Sequence, residues 1–352
     1  MEPGARITQK ELAEKCKVSQ TTVSRALARS PLLSEETTQR ILNEAEKMGY
    51  RPDPVLASLN SYLHARRPIS AGSVIAWLGK YQSPDTARLP VWDSTVYRAA
   101  HQRARTLGYN LDYFWVNDPA LSSRRLAKIL SARNVAGLIL DTQNRAYGRV
   151  MINCRDYPAV AIGRTVYSPR VDQVSPDHFT MMVTCYRRLL GLGYRRIGLA
   201  ITERFAQRSH GQWYGGFLVE QARKHGPGPA IPILSAPDDD DDLFREWVKK
   251  WSPDCIITAL ESSVRGLRYA SSLAKLGLRI PQDIGLVVLN LYETGVLSHY
   301  TGMEEPLGSL GAGAVNILAR RIGHNERGEP EARMVCLIEG KWVPGNTTVR
   351  KR

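Results

Sequence analysis

The chain has 352 residues, 43% of them hydrophobic, enough for two or three cored domains. Its 48 Lys and Arg outweigh 34 Asp and Glu for a formal net charge of +14, yet residues 1–67 hold only 11 of those cations against 8 acids. Most of the basic excess thus lies further along, where it reads first as a solvated basic surface and only second as long-range steering toward polyanions, so it names no DNA site. No run of 18 apolar residues occurs and MEPGARITQK carries no apolar signal segment, which argues against a membrane-spanning protein and predicts a cytoplasmic one. The five cysteines (Cys16, Cys154, Cys185, Cys255, Cys336) show no Cys-x-x-Cys spacing, which argues against a disulfide framework and a zinc site.

In chain order, Thr8 and Glu11 form a Thr-x-x-Glu capping box, and Leu12, Ala13 and Cys16 follow at helical spacing. After Lys17-Val18, Ser19 is placed to cap a second helix with Val23, Ala26 and Leu27 inside. Its outer face carries Gln20, Thr21, Thr22, Ser24 and Arg25, hydrogen-bonding side chains near a helix N-terminus. That is the end which a helix-turn-helix inserts into the major groove. Ser34 then caps a third helix over about 35–48, with Ile41, Leu42, Ala45 and Met48 inward, and Gly49-Tyr50-Arg51-Pro52 ends it. Asp53-Pro54 offers a new start, and VLASLNSYL sets Val55, Leu56, Leu59 and Leu63 near one side of a brief helix. So short an apolar helix needs a partner copy or a groove to bury against.

HARRPISAG, residues 64–72, reads as a linker. Beyond it the chain alternates apolar runs with amphipathic stretches. Strands are predicted at 74–78, 111–116, 136–140, 159–162, 196–201, 255–258 and 284–290. Helices are predicted at 97–108, 124–134, 178–193 and 263–277, with another in LFREWVKKW. Continuous apolar strands between helices predict parallel sheets covered on both faces, here two doubly wound lobes split near residue 170.

VSQTTVSRAL, SEETTQRILNEAEKMGYRPDP and VLASL resemble the DNA-binding headpiece and hinge helix of the LacI/GalR family of bacterial transcription regulators. The body, through LLGLGYRRIGLA, PDCIIT, LGLRIPQDIGLVVLN and LIEGKWVPGNTT, is similar to that family's periplasmic-binding-protein-like effector domain. The resemblance implies a helix-turn-helix headpiece at 1–52, a hinge helix at 53–63, a linker at 64–72 and an α/β effector-binding and dimerisation domain at 73–352. The first lobe is expected at about 73–168 and 300–328, and the second at about 169–299 and 329–346. It implies that Gln20 and Thr21 face base edges and that Ser19, Thr22, Ser24 and Arg25 hold phosphates or flanking bases. Thr8 and Tyr50 complete the headpiece candidates. Leu59 falls where the family wedges a leucine into a central base step, as apolar wedges in the minor groove do. Leu56 and Lys17 depart from the family, which usually carries a small residue at the first position and often glycine at the second.

The cleft departs further. Sugar-binding relatives carry Arg where this chain has Trp213, Asn-Asp where it has Leu260-Glu261, and Asp where it has Asn290. Trp92, Arg164, Trp213, Glu261, Asn290 and Tyr292 are the cleft candidates, each equally a packing residue. Stacking of a flat ligand on Trp213 or Trp92 is one expectation; a cleft that answers to no effector is another. The five aspartates at 238–242 read as a solvated loop, and Gly308, Gly311 and Gly313 match a dinucleotide fingerprint only loosely.

No Gly-x-Ser-x-Gly elbow, Gly-Lys-Thr cradle or His-Glu-x-x-His appears, so no enzyme chemistry and no cofactor are expected. The expectation is a regulator, and more specifically a repressor, that binds a near-palindromic operator as a homodimer or dimer of dimers. Its effector would be a small molecule, a sugar or related metabolite. A transport solute-binding protein and a sugar-modifying enzyme fused to a DNA-binding domain are the readings set against it.

Overall fold

The computed structural model describes the chain apart from residues 1–6, 28–32, 51–72, 84, 86–88, 120, 224–228, 236–240, 260–265, 293–297 and 352. The expected hinge helix with Leu56 and Leu59, the linker at 64–72, and Glu261 lie outside the described residues.

The N-terminal unit is three helices, α1 (Gln9–Cys16), α2 (Gln20–Leu27) and α3 (Glu35–Lys47). Thr8 caps α1 through the expected box: its hydroxyl accepts the Glu11 amide at 3.3 Å, and its own amide donates to the Glu11 carboxylate at 2.7 Å. Those bonds hold the Glu11 carboxyl below its ordinary pKa. Lys17 ends α1 in the left-handed region (φ 54°), where the family often has glycine. Leu12, Ala13 and Cys16 of α1, Val23 and Ala26 of α2, and Ile41 and Ala45 of α3 close one small core.

The body opens with β1 (Val74–Gly79), α4 (Val91–Thr106), β2 (Asn110–Trp115), α5 (Ser123–Ala132) and β3 (Val135–Leu140). Next come β4 (Gly148–Arg149), β5 (Ala159–Ile162), β6 (Val166–Ser168), β7 (Asp172–Pro176), α6 (His178–Gly191) and β8 (Ile197–Ala200). Then follow α7 (Glu203–Arg208), α8 (Gln212–Arg223), α9 (Asp241–Trp251), β9 (Cys255–Thr258) and α10 (Gly266–Lys275). The chain closes with β10 (Gly285–Leu291), β11 (Thr301–Glu304), α11 (Leu307–Gly323), β12 (Val335–Ile338) and β13 (Lys341–Val343). Each of the seven predicted strands is present, because an apolar run this short must be sheltered on both faces of a sheet.

Two sheets result. The first runs β12-β7-β5-β3-β1-β2 and is parallel throughout; the second runs β13-β11-β10-β9-β8, with only β13 antiparallel. Helices α4 and α11 cover one face of the first sheet and α5 the other. On the second sheet, α6 and α8 cover one face, α9 and α10 the other.

The crossovers between lobes fall later than expected. They follow β7, β11 and β12, near 177, 305 and 339 rather than 168, 300 and 328, and β12 belongs to the first lobe. The reason lies in β7, whose DQVSP has no apolar signature: Asp172, Gln173 and Ser175 are buried there among polar partners. Asp172 holds Arg321 of α11 at 2.8 Å, with 3% of each side chain exposed. Gly308, Gly311 and Gly313 all lie within α11, and Gly311 serves helix packing. A Cβ on Gly311 would lie 2.1 Å from the Val96 carbonyl of α4, so glycine lets these two helices touch backbone to backbone.

Candidate nucleic-acid interface and interlobe cleft

Burial of Val23 and Ala26 decides what α2 shows to solvent. Gln20, Thr21, Ser24 and Arg25 are exposed together on the opposite side. Ser19 caps the helix, its hydroxyl accepting the Thr22 amide at 3.1 Å and pairing with the Thr22 hydroxyl at 2.8 Å. Those two hydroxyls are therefore partly spent on the cap, as is that of Thr8. Helices α1 and α3 carry acids in their first turns (Glu11; Glu35 and Glu36), whereas α2 carries none. The positive end of the α2 dipole is left open to an outside anion such as a phosphate. Tyr50 is half-buried against the same core.

The second candidate region forms where strands end. In the first lobe β1 has β2 on one side and β3 on the other, so its carboxyl end is a topological switch point, the usual place for a ligand in such sheets. In the second lobe the same occurs at β8, which has β9 on one side and a parallel bridge from Leu234 on the other. Lys80 follows β1 and Asp141 follows β3. The Lys80 ammonium is buried against the Asp93 carboxylate, lies 2.6 Å from the Thr142 hydroxyl and 3.9 Å from Asp141. Burial, only partly offset by the Lys80 charge, pushes the Asp141 carboxyl up to about 6. The Tyr81 hydroxyl donates to Asp93 at 3.2 Å.

Between the lobes, Glu305 sits at a crossover and is nearly inaccessible. Its carboxylate accepts the Trp92 indole at 2.7 Å from α4 and contacts the His178 ring at 3.2 Å from α6. His178 in turn lies 4.5 Å from the Trp213 ring. At the other rim, Arg208 at the end of α7 donates to the Gln143 carbonyl, and His210 Nε2 meets the Arg164 carbonyl at 2.8 Å.

The sequence candidates are thus distributed unevenly. Trp92 and Arg164 border the junction, and Asn290 donates to the Tyr292 hydroxyl at 2.8 Å, with Tyr292 packed against the first-lobe core. Trp213 departs from the stacking expectation: it is 1% exposed, covered by Phe205 and His178 inside the second-lobe core, and offers no free face. Lys80, Asp93, Asp141, His178, Arg208 and Glu305 escaped sequence reading. Lys80 and Asp141 did carry a signal, being the first polar residues after apolar strands; Glu305 and Arg208 carried none. A separate concavity lined by Ser73, Asn134, Tyr157 and Arg327 opens at the opposite, amino ends of the first-lobe strands, away from this junction.

Comparison with known proteins matches this division. Residues 8–53 match the bacterial regulatory proteins, lacI family, and residues 186–348 match the periplasmic binding protein-like domain. The HTH-type transcriptional regulator PtxS of Pseudomonas plecoglossicida is 25% identical over 98% of this chain and 97% of its own. The HTH-type transcriptional repressor PurR of Pasteurella multocida is 22% identical over 92% and 94%. A lac repressor dimer bound to operator and the anti-inducer ONPF shares the fold with a TM-score of 0.57, at 18% identity, over 98% of this chain and 100% of that one. A helix-turn-helix unit matched to the lacI family of bacterial regulatory proteins thus precedes an α/β domain matched to the periplasmic binding protein-like domain, as in the HTH-type transcriptional regulators it resembles.

Proposed function

We propose that the chain is a sequence-specific transcription regulator, acting as a repressor. Two copies read the halves of a near-palindromic operator, and a small molecule in the interlobe cleft sets how tightly they hold it. The observation that supports this most is the α2 face. A capped helix presents Gln20, Thr21, Ser24 and Arg25 together to solvent, with no acid near its N-terminus, inside a unit matched to the lacI family. Gln20 and Thr21 are the base readers, and Arg25 with Ser24 the phosphate and flanking contacts. A two-fold protein demands two-fold DNA, and a dimeric lac repressor is bound to its operator in the related structure. We place the protein in the cytoplasm; no described helix is long and apolar enough to cross a membrane.

The effector acts by differential affinity for two arrangements of the lobes. Trp92–Glu305–His178 and Arg208–Gln143 are contacts between lobes and would differ between those arrangements. The test is selection of binding sites from random duplex DNA with the full chain. Recovery of one enriched site with internal two-fold symmetry supports the reading. Exchange of Gln20 for Thr and of Thr21 for Gln then redirects the selected bases; an unchanged site removes them as readers.

A further inference from the structure

A sheet leaves its two outermost strands unpaired on one side, and proteins guard such edges with charge, proline or a covering segment. Three of the four edges of the two large sheets are guarded. On β2, Asp112 pairs with Arg133 at 3.0 Å; β13 carries Lys341; and the bridge from Leu234 runs beside β8. The fourth edge has none of these devices. It is β12, Val-Cys-Leu-Ile, with Met334, Cys336 and Leu337 exposed along it.

The direction of its free groups follows from the bonds it already makes. The Gln173 amide donates to the Met334 carbonyl at 2.9 Å, and the Asp177 amide to the Ile338 carbonyl at 2.8 Å. Backbone groups alternate sides along a strand. Met334, Cys336 and Ile338 therefore turn theirs toward β7, and the N–H and C=O of Val335 and Leu337 turn outward. An antiparallel copy of the same strand answers both outward residues in one register, with Val335 opposite the second copy's Leu337 and the reverse. Cys336 then stands opposite its own counterpart on the two-fold axis, at a non-hydrogen-bonded position. Just beyond the strand, Arg333 stands opposite the second copy's Glu339. Neither residue makes an ion pair among the described residues. Arg333 is set among cations instead: burial lowers the pKa values of Arg164 and His210, and Arg333 adds to both effects. The charge order along this edge is thus self-complementary about a two-fold axis, with apolar residues between the charges.

We propose that β12 is a docking edge for a second copy of this chain, paired antiparallel about Cys336, so that the first-lobe sheets of two copies continue into one. The occupant is a second copy because the edge matches itself, Arg333 of each chain meeting Glu339 of the other. Non-hydrogen-bonded partners in such a pair sit about 4.5 Å apart at Cα, within the span of a disulfide, so Cys336 reports the register. The contact concerns how copies join and holds independently of the DNA or effector they bind.

Sedimentation equilibrium of the full chain at about 50 µM, well above a micromolar Kd, tests this against single variants. Leu337→Pro deletes an outward N–H while leaving the bonds to β7, and Arg333→Glu sets acid against acid. Each variant halves the assembly mass of the native chain. Arg333→Glu combined with Glu339→Arg restores the native mass, which a merely misfolded variant would not do. Diamide, which takes up the two thiol hydrogens as the sulfur–sulfur bond forms, links two native chains through Cys336, identified by peptide mass; the other four cysteines are buried. Leu337→Pro loses that link. Equal mass for the native chain and either single variant, no recovery on charge exchange, or no Cys336 link in the native chain overturns the proposal.

Discussion

Lys17 is a residue whose backbone contradicts its side chain. A left-handed φ of 54° closes α1, and a Cβ there costs about 1 kcal/mol that glycine avoids. Lys17→Gly is expected to raise headpiece stability by about that amount, read by hydrogen exchange of the α1 and α2 amides. Arg25 lies on the exposed face, so Arg25→Ala weakens binding to all duplexes and reduces the log–log salt slope by about 0.9 for its one phosphate; an unchanged slope excludes that role. Trp213 requires a different prediction from a ligand-facing tryptophan. Because it is buried in the second-lobe core, Trp213→Ala costs about 3–5 kcal/mol of stability, while Trp213→Phe retains most of it. Asp141 has a folded pKa raised by burial to about 6, above its unfolded value. A carboxyl so shifted contributes fully below the unfolded value and loses that contribution as pH climbs through about 6. The melting temperature of Asp141→Asn therefore falls less than that of the native chain between pH 5 and pH 7, and parallel profiles contradict the assignment.

At the scale of elements, the legible parts were those whose burial is written in local composition. VIAWL, AGLIL and IGLVVLN announce buried strands because few other structures shelter such runs, and Thr8 with Glu11 announces a helix start because the cap is satisfied within four residues. The β7 strand was illegible because its polar residues are matched by groups far along the chain: Asp172 by Arg321, 149 residues away. Neither β7 nor the short edge strand β12 is among the strands predicted from composition, so the lobe boundaries at 168 and 328 rested on the family resemblance and fell short of where these strands end. The cleft suffered most, since Trp92 and Glu305 are 213 residues apart and only the fold brings them together. The Arg321–Asp172 pair offers a direct check on this scale. Asp172→Ala leaves a buried guanidinium uncompensated and costs about 3–5 kcal/mol, whereas a loss below about 1 kcal/mol would mean the pair is solvated. Gly311 offers another. Gly311→Ala forces α4 and α11 apart against the Val96 carbonyl and costs about 1–3 kcal/mol, despite alanine being the better helix former.

For the whole molecule, the exposed α2 face and the two-lobed body have separate tasks. In the proposed regulator the side chains of α2 would select a site, and the contacts between lobes would give a ligand something to change. Trp92–Glu305–His178 at one rim and Arg208–Gln143 at the other join the two lobes. The account stands or falls on selective DNA binding. Competition of one selected duplex against bulk random duplex for the full chain, at moderate ionic strength and with and without a panel of small metabolites, measures it most directly. The account predicts at least about a thousandfold preference for a two-fold-symmetric site. Equal retention of both duplexes, whatever small molecule is supplied, would contradict it.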